Sequence, residues 1–210
     1  MTSPAPDNAR TPRQRELLGV AARLFAQRGY HAVGINDISG ELGLTGPAFY
    51  RHYPSKEALL IAVLDEAISA HLEEVGDLVA SISDPLATMQ AIVQHHIDFV
   101  FDQTENIMTW RTEFRSLPEP DRHRLRYLQR LYTEEWVRTL RQLRPELHVD
   151  QVRAMCHGAI AMLQSPIEFH NKLTREDVAP ILFRMVMQAL MSTEIPHLEP
   201  AKGRAAARRV

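Results

Sequence analysis

Between Thr45 and Lys56 the chain crowds a hydroxyl, a phenol, a guanidinium, an imidazole and an ammonium into one short run, Thr45-Gly46-Pro47-Ala48-Phe49-Tyr50-Arg51-His52-Tyr53-Pro54-Ser55-Lys56. These groups donate hydrogen bonds to phosphates and to base edges. Burying a phenol or a guanidinium demands a bonded partner, so exposure is the cheaper arrangement. Phe49 and Tyr53 are four residues apart and share one side of a helix, where they anchor it on Leu24, Phe25 and Ile38. Tyr50, Arg51 and His52 then face elsewhere, together with Thr45, Gly46 and Pro47. Gly46, lacking a side chain, lets the helix end approach a phosphate or base edge closely. Lys56 begins the next helix, where its charge opposes the macrodipole; an anionic phosphate there relieves the conflict.

The elements that must position this run read as helices. Thr11, Pro12 and Gln14 form a start signal, Leu17, Leu18, Ala21, Leu24 and Phe25 a stripe, and Gly29 a stop. A second helix is expected from Asn36 to Leu42, a turn at Gly43-Leu44-Thr45, and a third helix from Gly46 to Tyr53 capped by the Thr45 hydroxyl. Two short helices with that turn have helix-turn-helix spacing. Pro54-Ser55 caps a fourth helix, from Lys56 to about Val75. Further helices open near Asp84, Thr104, Pro120, Asp150 and Thr174, and Pro166 ends or kinks one of them. The chain reads as all-α with about nine helices, without the alternation that marks strands.

Charge is local rather than global. The 210 residues carry a net charge of −2, yet residues 10–60 hold seven basic side chains against four acidic ones, and the stretch from 195 is basic again, with Arg204, Arg208 and Arg209. The single cysteine, Cys156, makes no internal disulfide and fits a reducing, cytoplasmic setting. No apolar run approaches the roughly 20 residues that span a membrane. The polar, Pro-rich opening MTSPAPDNAR reads as a disordered arm.

Residues 11–64 resemble the DNA-binding domain of TetR-type (tetracycline-repressor-type) transcriptional regulators. The resemblance lies in the helix ending LFAQRGY and in INDISGELGLTGPAFYRHYPSKEALL. It implies a three-helix DNA-binding domain over 11–56 behind an arm at 1–10, a ligand-binding and dimerisation domain over 57–194, and a flexible basic tail at 195–210. It also implies a homodimer with one recognition helix per subunit in the major groove of a pseudo-palindromic operator, released by a small hydrophobic or amphipathic effector. By position the DNA contacts fall on Asn36, Thr45, Gly46, Pro47, Ala48, Tyr50, Arg51, His52 and Lys56. Many relatives carry long polar residues where Gly46 and Ala48 stand, so base reading here rests mainly on Arg51, Thr45 and Tyr50, with shape readout beside it.

The second half supplies Met and aromatic residues that suit a deformable pocket between helices. Met89, Phe99, Met108, Trp110, Phe114 and Tyr132 are expected to line it with Trp136, Met155 and Met162, and His96, Arg111 or Glu113 to form its polar ends. Arg111 and Arg115, four apart, point to an anionic acyl group or equally to surface ion pairs. Small residues among large ones, Ala154, Gly158 and Ala161 on one helix and Met185, Ala189 and Leu190 on the last, suit either a two-fold helical interface or close packing within the subunit.

Other chemistry is weaker. His95 and His96 are adjacent on a helix and point about 100° apart, too divergent to share an ion, so no metal or cofactor is expected. No nucleophile motif or Gly-rich loop stands out, and Glu113, Asp121 and His123 read as solvated charges, so an enzyme is not expected. The alternative from another class is a helical small-molecule carrier, or an enzyme, using the same apolar pocket.

Overall fold

The computed structural model describes residues 10–168 and 174–192. Within them the chain forms α1 (Pro12–Arg28), α2 (Ile35–Glu41), α3 (Gly46–Tyr50), α4 (Lys56–Ser81), α5 (Pro85–Asp102), α6 (Thr104–Glu113), α7 (Glu119–Leu143), α8 (Val149–Leu163) and α9 (Arg175–Met191), with one-turn 3-10 segments at Phe114–Ser116 and Ser165–Glu168. There is no strand among the described residues. The all-α expectation and its helix order stand.

Local chemistry sets the boundaries. Thr11 accepts from Gln14 N while Gln14 Oε1 accepts from Thr11 N, a reciprocal box that starts α1. Ser55 caps α4 through Ala58 N and Asp84 caps α5 through Ala87 N. Gly43 has φ +63°, the left-handed conformation that lets the chain turn between α2 and α3. Leu44 N closes that turn on Ser39 O at 2.8 Å. Three expectations need correction. Thr45 begins α3 by its extended backbone alone, and its hydroxyl makes no cap bond. The regular part of α3 ends at Tyr50, and residues 51–52 finish as a turn closed by His52 N on Phe49 O. And α4 runs on to Ser81 rather than stopping near Val75, because Leu72, Val75 and Val79 keep an apolar stripe against the second core.

Two hydrophobic cores divide the molecule. The first joins Leu17, Leu24 and Phe25 of α1, Ile38 of α2, Phe49 and Tyr53, and the first turns of α4, and it also takes in Leu117 and Leu125 from either side of the α7 start. The second joins Val75, Met89, Ile92, Ile97, Trp136, Leu140, Cys156, Leu163 and Val186. Helix α4 serves both, so no linker separates the two at residue 56. Arg10, the last residue of the expected arm, is fixed by Glu66 at 2.6 Å; residues 1–9 and the tail from 195 lie outside the described residues. Buried Arg144 donates to Leu190 O and Ser192 O, satisfying carbonyls at the end of α9.

Phe49 is fully buried under the third helix. Phe49→Ala should therefore cost about 3–5 kcal/mol in urea unfolding, the range for emptying an aromatic site, and loosen the helix-turn-helix. A loss below about 1 kcal/mol would mean that Phe49 is not the anchor.

Candidate nucleic-acid interface and effector cavity

The first site is an exposed helix end. Asn36, Thr45, Pro47, Tyr50 and Arg51 are exposed, and Gly46, Ala48, His52 and Lys56 are half-buried. Tyr50 is 54% exposed although it is aromatic, while its neighbour Phe49 is 0% exposed. Along α3 the spacing places Pro47, Tyr50 and Arg51 on the side opposite the anchor. Arg51 makes no hydrogen bond or ion pair among the described residues, so its whole donor fork is available. Gly46 lies against α2: a Cβ added there would meet Asn36 Oδ1 at 3.7 Å, an ordinary contact. Nothing inside the subunit therefore requires a glycine at 46.

Lys56 behaves differently from the sequence reading. Its Nζ donates to Tyr30 O at 2.8 Å and Val33 O at 2.7 Å and sits 4.3 Å from the centre of the Tyr30 ring. Two of its three N–H groups thus satisfy carbonyls of the α1–α2 connection, and one remains for an outside acceptor. The ammonium locks the head to α4. Glu113, expected as a solvated charge or cavity end, is buried and accepts from Tyr30 N at 3.4 Å, which ties α6 to the same connection.

The second site is a cavity of about 720 Å³ among α4, α5, α6, α7 and α8. Of the residues expected to line it, His96, Phe99, Trp110, Arg111 and Tyr132 do. Met89 and Trp136 are fully buried in the second core behind it. Met155 and Met162 pack on that core, Met108 faces outward, and Phe114 stacks on Trp110 at 4.7 Å instead of entering the cavity. These six departures share a cause: which face of a helix meets a void, and which meets another helix, depends on neighbours distant in sequence. The walls are mostly apolar, from Leu64, Ala67, Ile68, Ile107 and Ile160 with Phe99 and Trp110. The rim carries Arg111, Arg126, Arg130 and Arg153. Arg153 is paired with Glu134 at 2.8 Å, whereas the guanidinium groups of Arg126 and Arg130 lie over Phe114 and Tyr127 and have no carboxylate partner among the described residues. Arg115, in the 3-10 turn, is absent from the lining.

Sequence reasoning missed His71. It continues the α4 stripe through Leu64, Ala67 and Ile68, a helical register that was legible, but its partners lie 24 and 25 residues away. His71 Nδ1 lies 2.9 Å from His95 Nε2, His71 Nε2 lies 3.2 Å from His96 Nδ1, and His96 Nδ1 lies 2.6 Å from the Tyr132 hydroxyl. His71 also stacks on Phe99 at 3.7 Å and Tyr132 at 4.3 Å. His95 and His96, too divergent to meet each other, both meet the third ring. Only His95 has a carboxylate near it, Glu74 at 3.4 Å. Among the described residues no group of three or more His, Cys, Asp or Glu has the geometry to hold a metal ion, and no helix is long and apolar enough to cross a membrane.

Burial drives the His71 ring well below its ordinary value of 6.5, with His96 and then His95 adding repulsion. Burial, then His95, lowers His96 to about 3. Burial likewise raises the Tyr132 hydroxyl well above its ordinary range, with Trp136 acting weakly the other way. The cluster is a neutral polar network. The unfolded chain takes up protons near pH 6.5 that these folded rings refuse, so stability is complete above that pH and drains below it, down to about pH 3 where His96 titrates. Unfolding free energy should fall by about 1.4 kcal/mol per pH unit for each of the two rings as pH drops from 6.5 towards 3. His71→Phe should flatten the profile measured by urea unfolding at a series of pH values; an unaltered slope would show that the ring is not held neutral.

Comparison with known proteins agrees with this geometry. The family of bacterial regulatory proteins named tetR matches residues 17–63, which supply most of the first core. The repressor KstR2 of Rhodococcus jostii is 30% identical over 136 residues, 64% of this chain and 66% of its own length. The activator FasR of Mycolicibacterium smegmatis is 32% identical over 91 residues, covering 43% of this chain. The alignments thus span just under two thirds of the first relative and 42% of the second. The fold agrees over most of the chain with AibR, solved with isovaleryl coenzyme A and operator DNA, at a TM-score of 0.71 and 22% identity over 82% of this chain and 97% of that one. With the helix-turn-helix in place, the anchor buried and the same helical body behind it, the chain belongs to the TetR family of bacterial regulatory proteins.

Proposed function

We propose that the protein is a ligand-responsive DNA-binding repressor that acts as a homodimer in the cytoplasm, not an enzyme. The observation that carries the reading is the exposed Tyr50 and Arg51, neither with a hydrogen-bond partner among the described residues, above a fully buried Phe49, on a helix whose Gly46 leaves room for outside contact. The head spans residues 11–56 and is held by Lys56 at the first turn of α4; the remaining helices to 194 form the effector and dimer body. Arg51, Tyr50 and Thr45 read the groove, Asn36, Pro47, Ala48 and His52 flank it, and the free N–H of Lys56 takes a phosphate.

The dimer reading rests on the faces of α8 and α9. Ala154, Gly158 and Ala161 are all exposed, as are Ala189 and the large apolar Ile181 (44%) and Met185 (46%). An uncovered apolar face beside small residues fits a second copy packing by two-fold symmetry. Leu190, first placed on that face, is core and drops out. The effector reading rests on the apolar cavity and its arginine rim, which together fit an amphipathic molecule with an anionic end. The structurally similar AibR was solved with such a molecule, isovaleryl coenzyme A, together with its operator. Effector binding then shifts the population of head separations away from the one that matches two half-sites.

Sequences selected from random duplexes should be pseudo-palindromic, and affinity for the best of them should fall steeply with salt. Arg51→Ala should lower affinity and the salt slope by about one unit, and Gly46→Ala should weaken binding with little change in unfolding free energy. Indifference to duplex DNA at low salt, with a hydrophobic ligand still bound, would replace the regulator by a carrier. Met185→Glu should yield monomers in sedimentation and lose the operator; a variant that stays dimeric would put the interface elsewhere.

A further inference from the structure

The cavity wall formed by His71, His96 and Tyr132 carries no charge, and its hydrogens do not balance. Each N···N contact of the histidine chain needs one hydrogen between its atoms. In one arrangement His71 Nδ1–H donates to His95 Nε2, which leaves His71 Nε2 bare. His96 Nδ1–H then donates towards His71 and the Tyr132 oxygen, and the Tyr132 O–H must turn away from His96. In the other, His95 Nε2–H donates to His71 Nδ1, His96 Nδ1 is the acceptor, and the Tyr132 O–H donates to it at 2.6 Å. The remaining hydrogen of His96 then sits on Nε2, which is buried without a partner. A protonated His95 beside Glu74 gives the second arrangement again.

Both arrangements leave one hydrogen over, on the Tyr132 oxygen or on His96 Nε2. Both residues line the cavity and both are buried, at 3% and 1% exposure. A buried donor without an acceptor costs about as much as a lost hydrogen bond. The imbalance does not depend on which tautomer is present, because it follows from the count. A carboxylate cannot fill the place cheaply: the network is neutral and nothing cationic lies at that wall to offset a second desolvated charge. A hydroxyl also accepts, but it brings a further hydrogen, which only the bare His96 Nε2 of the first arrangement or the Tyr132 oxygen of the second can take. A carbonyl oxygen accepts without donating.

We propose that the effector is an anionic amphiphile whose apolar body ends in a carbonyl acceptor, which enters first and bonds to the His96–Tyr132 pair while the anion stays between Arg126 and Arg130. The proposal rests on the effector reading given above and specifies it: a plain hydrocarbon tail leaves the donor unmet, and a ketone-bearing tail meets it. Tyr132 is carried on α7, the helix that also supplies Arg126 and Arg130.

The test uses the full-length protein and two pairs of probes: decanoic and 9-oxodecanoic acid, and the coenzyme A thioesters of both. Binding is followed by calorimetry and by fluorescence of Trp110, which lines the cavity. The keto member of a pair should bind about tenfold tighter than its alkyl partner, and the free acids and thioesters show which source of the anion is preferred. The isotope-edited carbonyl stretch of the bound keto probe should lie below its value in an apolar solvent. In Tyr132→Phe/His96→Leu the keto preference should vanish while the alkyl probe still binds. Equal affinity of the two members in the wild type overturns the proposal and leaves an amphipathic effector standing. Binding of no probe at all also overturns it, while DNA selection by the same preparation would keep the regulator reading intact. If the double variant does not fold, the carbonyl stretch decides: an unshifted band overturns the proposal.

Discussion

A single continuous helix ties the molecule together. The 26 residues of α4 extend roughly 39 Å at 1.5 Å per residue. Lys56 at one end holds the carbonyls of Tyr30 and Val33, Leu59, Leu60, Val63 and Leu64 fill the first core, His71 walls the cavity, and Val75 enters the second core. A hydrogen-bonded helix packed on two sides cannot bend locally without cost, so α4 fixes the distance between His71 and Lys56. Ion pairs add lateral ties: buried Asp65 meets Arg124 of α7 at 2.6 Å, and the adjoining Glu66 meets Arg10. The head is therefore positioned by the body that encloses the cavity and not by a flexible tether.

Charge in the body is sorted by depth. Arginines gather at the rim of the cavity, where water still screens and solvates them, and the inner end holds only neutral imidazole and phenol groups. This sorting follows from desolvation, which penalises a charge far more than a hydrogen-bonding dipole. It also gives the cavity a direction: an entering molecule meets cations first and neutral donors last. On the far side of His71 and Phe99 a second cavity of about 400 Å³ carries Glu66, Glu74, Asp98 and Asp102, so the histidine chain separates an acidic groove from a basic one. Two of those acids, Asp98 and Asp102, are held by Arg175 of α9 at 2.6 Å each.

The helix-turn-helix was legible because its information is local. The start box at Thr11, the left-handed glycine at 43, the cap at Ser55, and the four-residue spacing of Phe49 and Tyr53 are all settled within a few residues of each other. Exposure of Tyr50 and Arg51 follows from the same spacing once one side is anchored. The errors there are small and have the same local scale: a hydroxyl that does not cap, and a helix that closes as a turn three residues early.

The cavity was legible only in kind. A stock of Met and aromatic residues in the second half announced an apolar interior, but Met89 and Trp136 went to the core, Met108 to the surface, and Leu190 away from the outer face. By itself the sequence determined the helices, most of their caps, the anchored third helix and the family, because backbone hydrogen bonds and side-chain period act over one or two turns. Tertiary structure alone decided that His71, His95 and His96 form one neutral chain, that Lys56 spends two of its hydrogens inside the protein, and which side chains face the void. Those outcomes depend on the crossing of helices far apart in the chain, and no periodicity within one helix records its neighbour.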